Sequence, residues 1–278
     1  MLDETGWDFL VLHGTDDDGV RWILRKPRRP GVAASVAAEG RLLALVRDRF
    51  PVPVPRWRFA DPELIAYPRL AGEPAASENV LTFQLHWRID RENPPHSYVE
   101  ALGRCMAVLH ATPVASAAQC GIPVRRPDEV RTRFAEHLAL GRAELGMHST
   151  WWERGRRWLD NDGLWSERTV LVHGDLHPGH TLVDDAGHLV GVLDWTDAEV
   201  GDPGTEFIEA ARKFGPPVLD GLLAAYAAHG GPAWPGLRQH VQEGIAFAPL
   251  SLGVLGLTSG QERYVHAART RLGVPTTG

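Results

Sequence analysis

The chain has 278 residues, 44% of them apolar, and a formal net charge of −6. Its length allows one to two domains with a well-buried core, and its acidic balance argues against general nucleic-acid binding, which needs a basic footprint. Cys105 and Cys120 are the only cysteines and lack metal-type spacing, which argues against a disulfide framework and favours a reducing compartment.

Trp7 to His13 and Val20 to Lys26 are short apolar-rich runs. The Asp16-Asp17-Asp18-Gly19 turn between them predicts a β-hairpin. Pro27 and Pro30 end its second strand. From Ala33 to Phe50, Val36, Leu42, Leu43 and Val46 recur as on an amphipathic helix, which Pro51, Pro53 and Pro55 stop. Arg56 to Ala60 and Glu63 to Tyr67 read as a second hairpin around Asp61-Pro62. Residues 1–70 are thus expected to form a small β-rich N-terminal lobe with one helix. The stretch Pro68 to Pro95 is rich in Gly, Pro and polar residues, and 71–95 are expected to be hinge and linker.

Residues 96–278 read as a mostly helical C-terminal lobe. Tyr98, Leu102, Cys105, Met106 and Leu109 share one helical face. Further helices are expected around 128–145, 150–160, 204–214, 217–229, 236–257 and 260–272. Short strands interrupt at Thr169 to His173, Thr181 to Asp184 and Leu189 to Leu193, the last two joined by a turn at Asp184-Asp185-Ala186-Gly187. The class is α+β. Met1 to Gly6 show no basic-then-apolar leader, so no secretion signal is expected. The most apolar stretch, Gly244 to Leu257, is about 14 residues, too short to span a bilayer comfortably. A cytoplasmic monomer without membrane or nucleic-acid partners is the expectation.

The chemistry concentrates in His173-Gly174-Asp175-Leu176-His177-Pro178-Gly179-His180, followed by Asp194-Trp195-Thr196. One carboxylate can orient or deprotonate a hydroxyl, while a second group and a second carboxylate hold the metal on a nucleotide. The spacing is that of a kinase catalytic loop and its metal-binding Asp, with His180 where a kinase has Asn. Each residue also has a plainer reading. Asp175 alone would be a turn brace, and Asp194 a helix or turn cap. His180 is an unusual ligand for Mg²⁺, which prefers oxygen; packed in the lobe, it would find a backbone carbonyl. Trp195 is expected to pack on the helical core and His173 to brace the loop through backbone contacts. His177 is solvated or near the phosphates. The three histidines also admit a zinc site, without the helical context that usually makes one. Asp202, in Gly201-Asp202-Pro203, reads as a loop brace before the next helix.

In the N-terminal lobe, Ile23-Leu24-Arg25 ends a strand and Glu39 lies in the following helix. Kinases anchor the α- and β-phosphates with such a cation–Glu pair. Arg25 shares a strand face with Ile23, which would line a base pocket, whereas Lys26 points the other way. The plainer alternative is a surface ion pair worth ~0–1 kcal/mol. Neither a Gly-x-Gly-x-x-Gly nor a Walker-type loop occurs, which argues against Rossmann and P-loop readings.

With these residues, the chain resembles the aminoglycoside phosphotransferase family, and within it the macrolide 2′-phosphotransferase branch, whose loop ends in His where the wider family has Asn. Trp22-Ile23-Leu24-Arg25, Pro27-Arg28-Arg29-Pro30 and Glu63-Leu64-Ile65-Ala66-Tyr67-Pro68 carry the same likeness. The resemblance implies a bilobal protein-kinase-like fold, Asp175 as catalytic base, and His180 and Asp194 as Mg²⁺ ligands. Arg25 and Glu39 would replace the Lys–Glu pair, and Tyr67-Pro68-Arg69-Leu70 would touch the purine as a hinge. It also implies GTP, in preference to ATP, as donor and the 2′-hydroxyl of a macrolide amino sugar as acceptor. The run Ile245 to Leu250 would wall the lactone, or else be core. Relative to the family the chain begins late, so that Trp7 to His13 takes the second strand's place and the strand roofing the phosphates is expected to be missing. Two other functions stay open: a kinase-like phosphotransferase for an aminoglycoside or other small alcohol, and a non-catalytic nucleotide- or ligand-binding protein.

Overall fold

The turn at Asp16–Gly19 closes the first hairpin by the chemistry of its own residues. Gly19 takes a φ of +81°, which costs glycine nothing. The Asp16 carboxylate accepts the Val20 amide at 2.8 Å and the Trp22 indole N–H at 2.6 Å. The computed structural model describes residues 2–3, 8–79, 82 and 84–274; Trp7, expected in the first strand, lies outside them. The sheet is built from β1 (Leu2–Asp3), β2 (Phe9–Thr15) and β3 (Arg21–Pro27), then, after helix α1 (Pro30–Val46), β4 (Phe59–Ala60) and β5 (Ile65–Pro68). Its strand order is β1-β2-β3-β5-β4, antiparallel throughout. The position outside β2, expected to be vacant, carries the two-residue β1, paired through Leu2↔Leu12 and Asp3↔Val11.

Pro30 does not end a strand; it is the first residue of α1. Its fixed φ suits the first helical turn, where an amide hydrogen would have no intrahelical partner. The helix ends at Val46, short of the expected Phe50. It buries Val32, Val36, Glu39, Leu42, Leu43 and Val46. Val32 and Val36 meet Phe9, Ile23, Ile65 and Tyr67 of the sheet in one apolar cluster.

The stretch expected to be hinge and linker holds β6 (Glu73–Pro74), β7 (Ala76–Glu78) and β8 (Leu85–Trp87). The helical part follows with α2 (His96–His110), α3 (Val114–Gln119), α4 (Pro127–Glu144), α5 (Ser149–Leu159) and a 3₁₀ turn at Asp162–Leu164. Next come β9 (Val170–Val172), β10 (Thr181–Val183), β11 (Leu189–Val192) and β12 (Glu199–Gly201). The chain ends with α6 (Gly204–Phe214), α7 (Pro216–Ala228), α8 (Leu237–Ser259) and α9 (Glu262–Arg271). A small β-rich N-terminal lobe and a larger helical C-terminal lobe, the kinase-like class, are therefore present. All five residues expected on one face of α2 are buried.

By packing, the chain forms two compact units. The first comprises Met1–Val124, Val170–Val200 and Glu209–Pro232; the second Arg125–Thr169, Gly201–Ile208 and Ala233–Gly278. In the first unit β10 is the centre of a three-stranded sheet, β11-β10-β6, and β9 pairs with β12. The second unit is helical, with Leu138, Leu145, Trp158, Phe247, Leu250 and Val265 in its core.

Helix α8 is longer than the expected apolar stretch. Its 23 residues, with a mean hydropathy of 1.3 over their best window, meet the length and composition needed to cross a membrane, and 39% of that window is buried. One such helix is weak evidence of a span, because core helices have the same composition. Phe247, Leu250 and Val254 of α8 lie in the core of the second unit. Its polar His240 and Glu243 bond Asp202 and Arg154 of the same unit.

Candidate active site

All the residues of the polar cluster described below belong to the first unit. Strand β9 delivers the loop 173–180. Gly174 follows at a φ of +87°, and a Cβ there would overlap the Asp197 backbone carbonyl. Only glycine allows this approach. His173, fully buried, braces the loop as expected: its Nε2 lies 2.8 Å from the Leu193 carbonyl, and its Nδ1 accepts the Asp175 amide at 3.3 Å. These contacts place its proton on Nε2. Burial pushes its pKa down to about 4, so the ring is a neutral strut.

Asp175 presents Oδ2 to two imidazoles, at 3.5 Å from His177 Nε2 and 3.4 Å from His180 Nδ1. Burial works against its charge. The hydrogen bond from His177 and the positive potential of His180 and His177 outweigh it and hold the carboxyl well below the usual range. Asp175 is therefore ionised at neutral pH.

His180 Nδ1 lies 2.9 Å from the Asp175 carbonyl and donates to it. Its Nε2 then faces Oδ2 of Asp194 at 3.7 Å. Burial disfavours charge on this ring, but Asp175 and Asp194 overcome it and raise its pKa. Positive charge at Nε2, from a proton or a metal ion, is thus favoured. Asp194 is the one described non-glycine residue with positive φ, +55°, a strained conformation of the kind that clusters at functional sites. Its Oδ1 accepts Thr196 Oγ1 at 2.8 Å and Arg25 Nη2 at 3.1 Å. Burial would raise its pKa, yet Arg25 and His180 bring it down to about 2. The side chain keeps 42% of its surface open.

Arg25 Nη1 donates to Glu39 Oε1 at 2.9 Å, and Nη2 also meets Thr196 Oγ1 at 3.1 Å. The guanidinium lies 3.8 Å over the Phe9 ring. Arg25 and Glu39 are 5% and 3% exposed, so this is not the surface pair that the sequence also allowed. Burial opposes the charge on Arg25, but Glu39 and Asp194 fix it there. Lys26 is exposed, on the opposite strand face.

The structure thus brings Arg25, Glu39, Asp175, His180 and Asp194 into one polar cluster. Ile23 and Tyr67, expected near a purine, have their side chains in the apolar cluster with Val32 and Val36 of α1. Their backbones are register partners, Ile23↔Tyr67. In the expected hinge the Arg69 amide is spent on the Arg21 carbonyl at 2.8 Å, and Leu70 packs over Gly191. Thr196 was missed by sequence reasoning; its only signal was its place two residues after Asp194. In the second unit Asp202 does brace the start of α6, accepting the Gly204 amide at 2.9 Å and meeting His240 at 2.6 Å. Phe247 and Leu250 of the expected lactone wall are core.

Two metal arrangements can be weighed. Asp175, His177 and His180 each have a ligand atom within 4.8 Å of the others. However, the rings of His177 and His180 are 4.2 Å apart and only 30° from parallel, so their in-plane lone pairs do not converge on one point. His173 spends both nitrogens on backbone, which removes the three-histidine zinc site. The pair His180 Nε2 and Asp194 Oδ2 fits a divalent cation better, with one nitrogen, one carboxylate and the remaining positions left to phosphate and water.

Residues 2–240 match the model of the phosphotransferase enzyme family. Among solved structures the chain is similar to macrolide 2′-phosphotransferase MphH from Brachybacterium faecium as apoenzyme, with 39% identity and a TM-score of 0.88. That likeness covers 100% of this chain and 93% of the other. A macrolide 2′-phosphotransferase type I gives 36% identity and a TM-score of 0.88, covering 98% and 90%. The protein YcbJ of Bacillus subtilis (strain 168) is 41% identical over 274 residues, 99% of this chain and 90% of its own length.

Proposed function

Because the chain belongs to the phosphotransferase enzyme family, we infer that it moves the γ-phosphate of a nucleoside triphosphate to the 2′-hydroxyl of a macrolide amino sugar. The observation that carries this reading is the ionised Asp175 beside the His180–Asp194 pair. The two macrolide phosphotransferases of 39% and 36% identity support the acceptor. The intact cluster weighs against a non-catalytic binding protein. The product carries a new dianionic group on the sugar, which inactivates the antibiotic.

In this reading Asp175 accepts a hydrogen bond from the acceptor hydroxyl and aims it in line with the γ-phosphorus. Its low basicity suits a loose transition state, in which positioning dominates and the proton leaves late. His180 and Asp194 would hold Mg²⁺, which when bound supplies charge neutralisation at the β- and γ-phosphates. Arg25, fixed by Glu39, supplies fixed positive charge for the α- and β-phosphates. The run Tyr67–Leu70 would contact the purine, with Ile23 beneath it, and GTP would be favoured over ATP. We assign residues 1–70 to the nucleotide lobe, 71–95 to the hinge and linker, and 96–278 to the lobe with the catalytic loop. A cytoplasmic monomer is the working form, in keeping with the free, buried Cys105 and Cys120.

The test is to incubate the protein with GTP or ATP, Mg²⁺ and a panel of macrolides and aminoglycosides, and to look for the mass of one added phosphoryl group. Gain on macrolides, faster with GTP, is expected. Gain on aminoglycosides alone, or tight binding without gain, overturns the reading. Asp175→Ala should lower kcat by about 10²–10⁴-fold while sparing nucleotide binding.

A further inference from the structure

We propose that His177 is a positioning residue for Asp175: its Nε2–H, aimed by the Gly179 amide, fixes the carboxylate so that Oδ1 is the oxygen presented to the acceptor. This rests on the phosphotransfer reading above. The Gly179 N–H donates to His177 Nδ1 at 2.9 Å. A nitrogen that accepts carries no proton, so in the neutral ring the proton is on Nε2. That atom lies 3.5 Å from Asp175 Oδ2, long for a hydrogen bond in a resting enzyme but of the kind that tightens when substrate binds. His180 Nδ1 approaches the same oxygen at 3.4 Å. The proton on His180 Nδ1 goes to the Asp175 carbonyl, so that ring adds only electrostatic attraction at Oδ2; the His177 Nε2–H is the donor that holds Oδ2 and leaves Oδ1 for the hydroxyl.

The placement of the ring is built into the loop. Gly179 has no side chain where a Cβ would stand 2.6 Å from His177 Cε1 and 3.0 Å from Nδ1. The turn is pinned at Pro178, whose carbonyl accepts the Ala76 amide at 3.0 Å and Thr181 Oγ1 at 3.3 Å. Thr181 Oγ1 in turn meets the buried Tyr98 hydroxyl at 2.7 Å. The His180 ring lies 4.2 Å away and limits sideways movement of His177. With its side chain 16% exposed, His177 is not a solvated group. A base held by a third group is the arrangement that nucleophile activation uses elsewhere. Here the imidazole holds the carboxylate.

A carboxylate freed to rotate offers the wrong oxygen or the wrong angle, and a misplacement of about 1 Å can cost 10²-fold in rate. His177→Leu should therefore lower kcat about 10–100-fold, with KM for GTP and macrolide nearly unchanged. His177→Gln, whose amide N–H reaches about as far as Nε2, should recover most of the rate. Gly179→Ala displaces the ring and should reproduce the kcat loss, and the double variant should lose little more. Wild-type kcat in His177→Leu, a raised GTP KM with kcat kept, or additive losses would each overturn the proposal. Imidazole ¹⁵N NMR reads the geometry without turnover: His177 should show the Nε2–H tautomer, lost in Gly179→Ala. The Nδ1–H tautomer in the unaltered protein also overturns it. Absence of transfer to any macrolide by the unaltered protein, with the Nε2–H tautomer present, sinks the substrate reading instead.

Discussion

His180 turns Nε2 to Asp194 Oδ2 at 3.7 Å because its Nδ1 is held by the Asp175 carbonyl at 2.9 Å. One backbone contact thus decides which nitrogen can serve as a ligand. A nitrogen donor suits Mn²⁺ better than Mg²⁺, the harder ion. The ratio of kcat with Mn²⁺ to kcat with Mg²⁺ should therefore be several-fold higher in the natural protein than in His180→Asn. Metal titrations of initial rate read this directly, and an unchanged ratio removes His180 from the proposed metal site.

The buried Arg25–Glu39 pair makes a second prediction. Arg25→Met leaves the Glu39 carboxylate buried without its guanidinium, a loss of about 3–5 kcal/mol. Glu39→Gln should cost less, because Arg25 keeps Asp194 and Thr196 at 3.1 Å each. Arg25→Met combined with Glu39→Leu should regain much of the stability but not kcat, since the cation proposed to face the phosphates is gone. Denaturant unfolding beside steady-state rates separates the two effects. Equal instability of the double and the Arg25 variant argues against a charge left unpaired as the cause.

Much of this arrangement was legible because period and spacing carry it. The helical repeat Val36-Leu42-Leu43-Val46 found α1, and strand alternation put Arg25 on the side of Glu39 and Lys26 on the other. The loop spacing found Asp175, His180 and Asp194. The missed elements share one physical cause. Strands β6, β7, β8 and β12 and helix α3 are two to six residues long, too short to show a period, and the first three lie in Gly- and Pro-rich sequence that reads as linker. Pro30 misled because proline both ends strands and opens helices. Thr196 was invisible because its importance depends on three partners remote from one another in sequence.

His173 makes stability depend on pH. Its folded pKa, depressed by burial to about 4, lies below the ordinary 6.5. Between these values the unfolded chain binds a proton that the native ring refuses, so stability is full above about pH 6.5 and falls as pH drops towards 4. The loss from this one group is on the order of 3 kcal/mol at most. His173→Gln keeps a donor for the Leu193 carbonyl but does not titrate. Melting temperature against pH should be flatter for that variant across this window, and an unchanged slope assigns the acid sensitivity to other groups.

Gly174 and Gly19 separate two costs that are usually mixed. Both have positive φ, +87° and +81°. Around a Cβ at Gly19 nothing lies within 4 Å, whereas a Cβ at Gly174 meets the Asp197 backbone. Gly19→Ala therefore bears only the left-handed strain, about 1–2 kcal/mol. Gly174→Ala bears that strain and must also push apart the segment after Asp194 and the loop bearing Asp175. A flexible side chain could yield to such a clash, but the atoms met first are the backbone carbonyl of Asp197. Gly174→Ala should lose more stability than Gly19→Ala and nearly all turnover, because separating these segments widens the gap between Asp194 and the loop that bears Asp175 and His180. Paired unfolding curves and phosphoryl-transfer rates decide it. Similar losses for the two variants would show that the loop can shift away from Asp197 without disturbing the site.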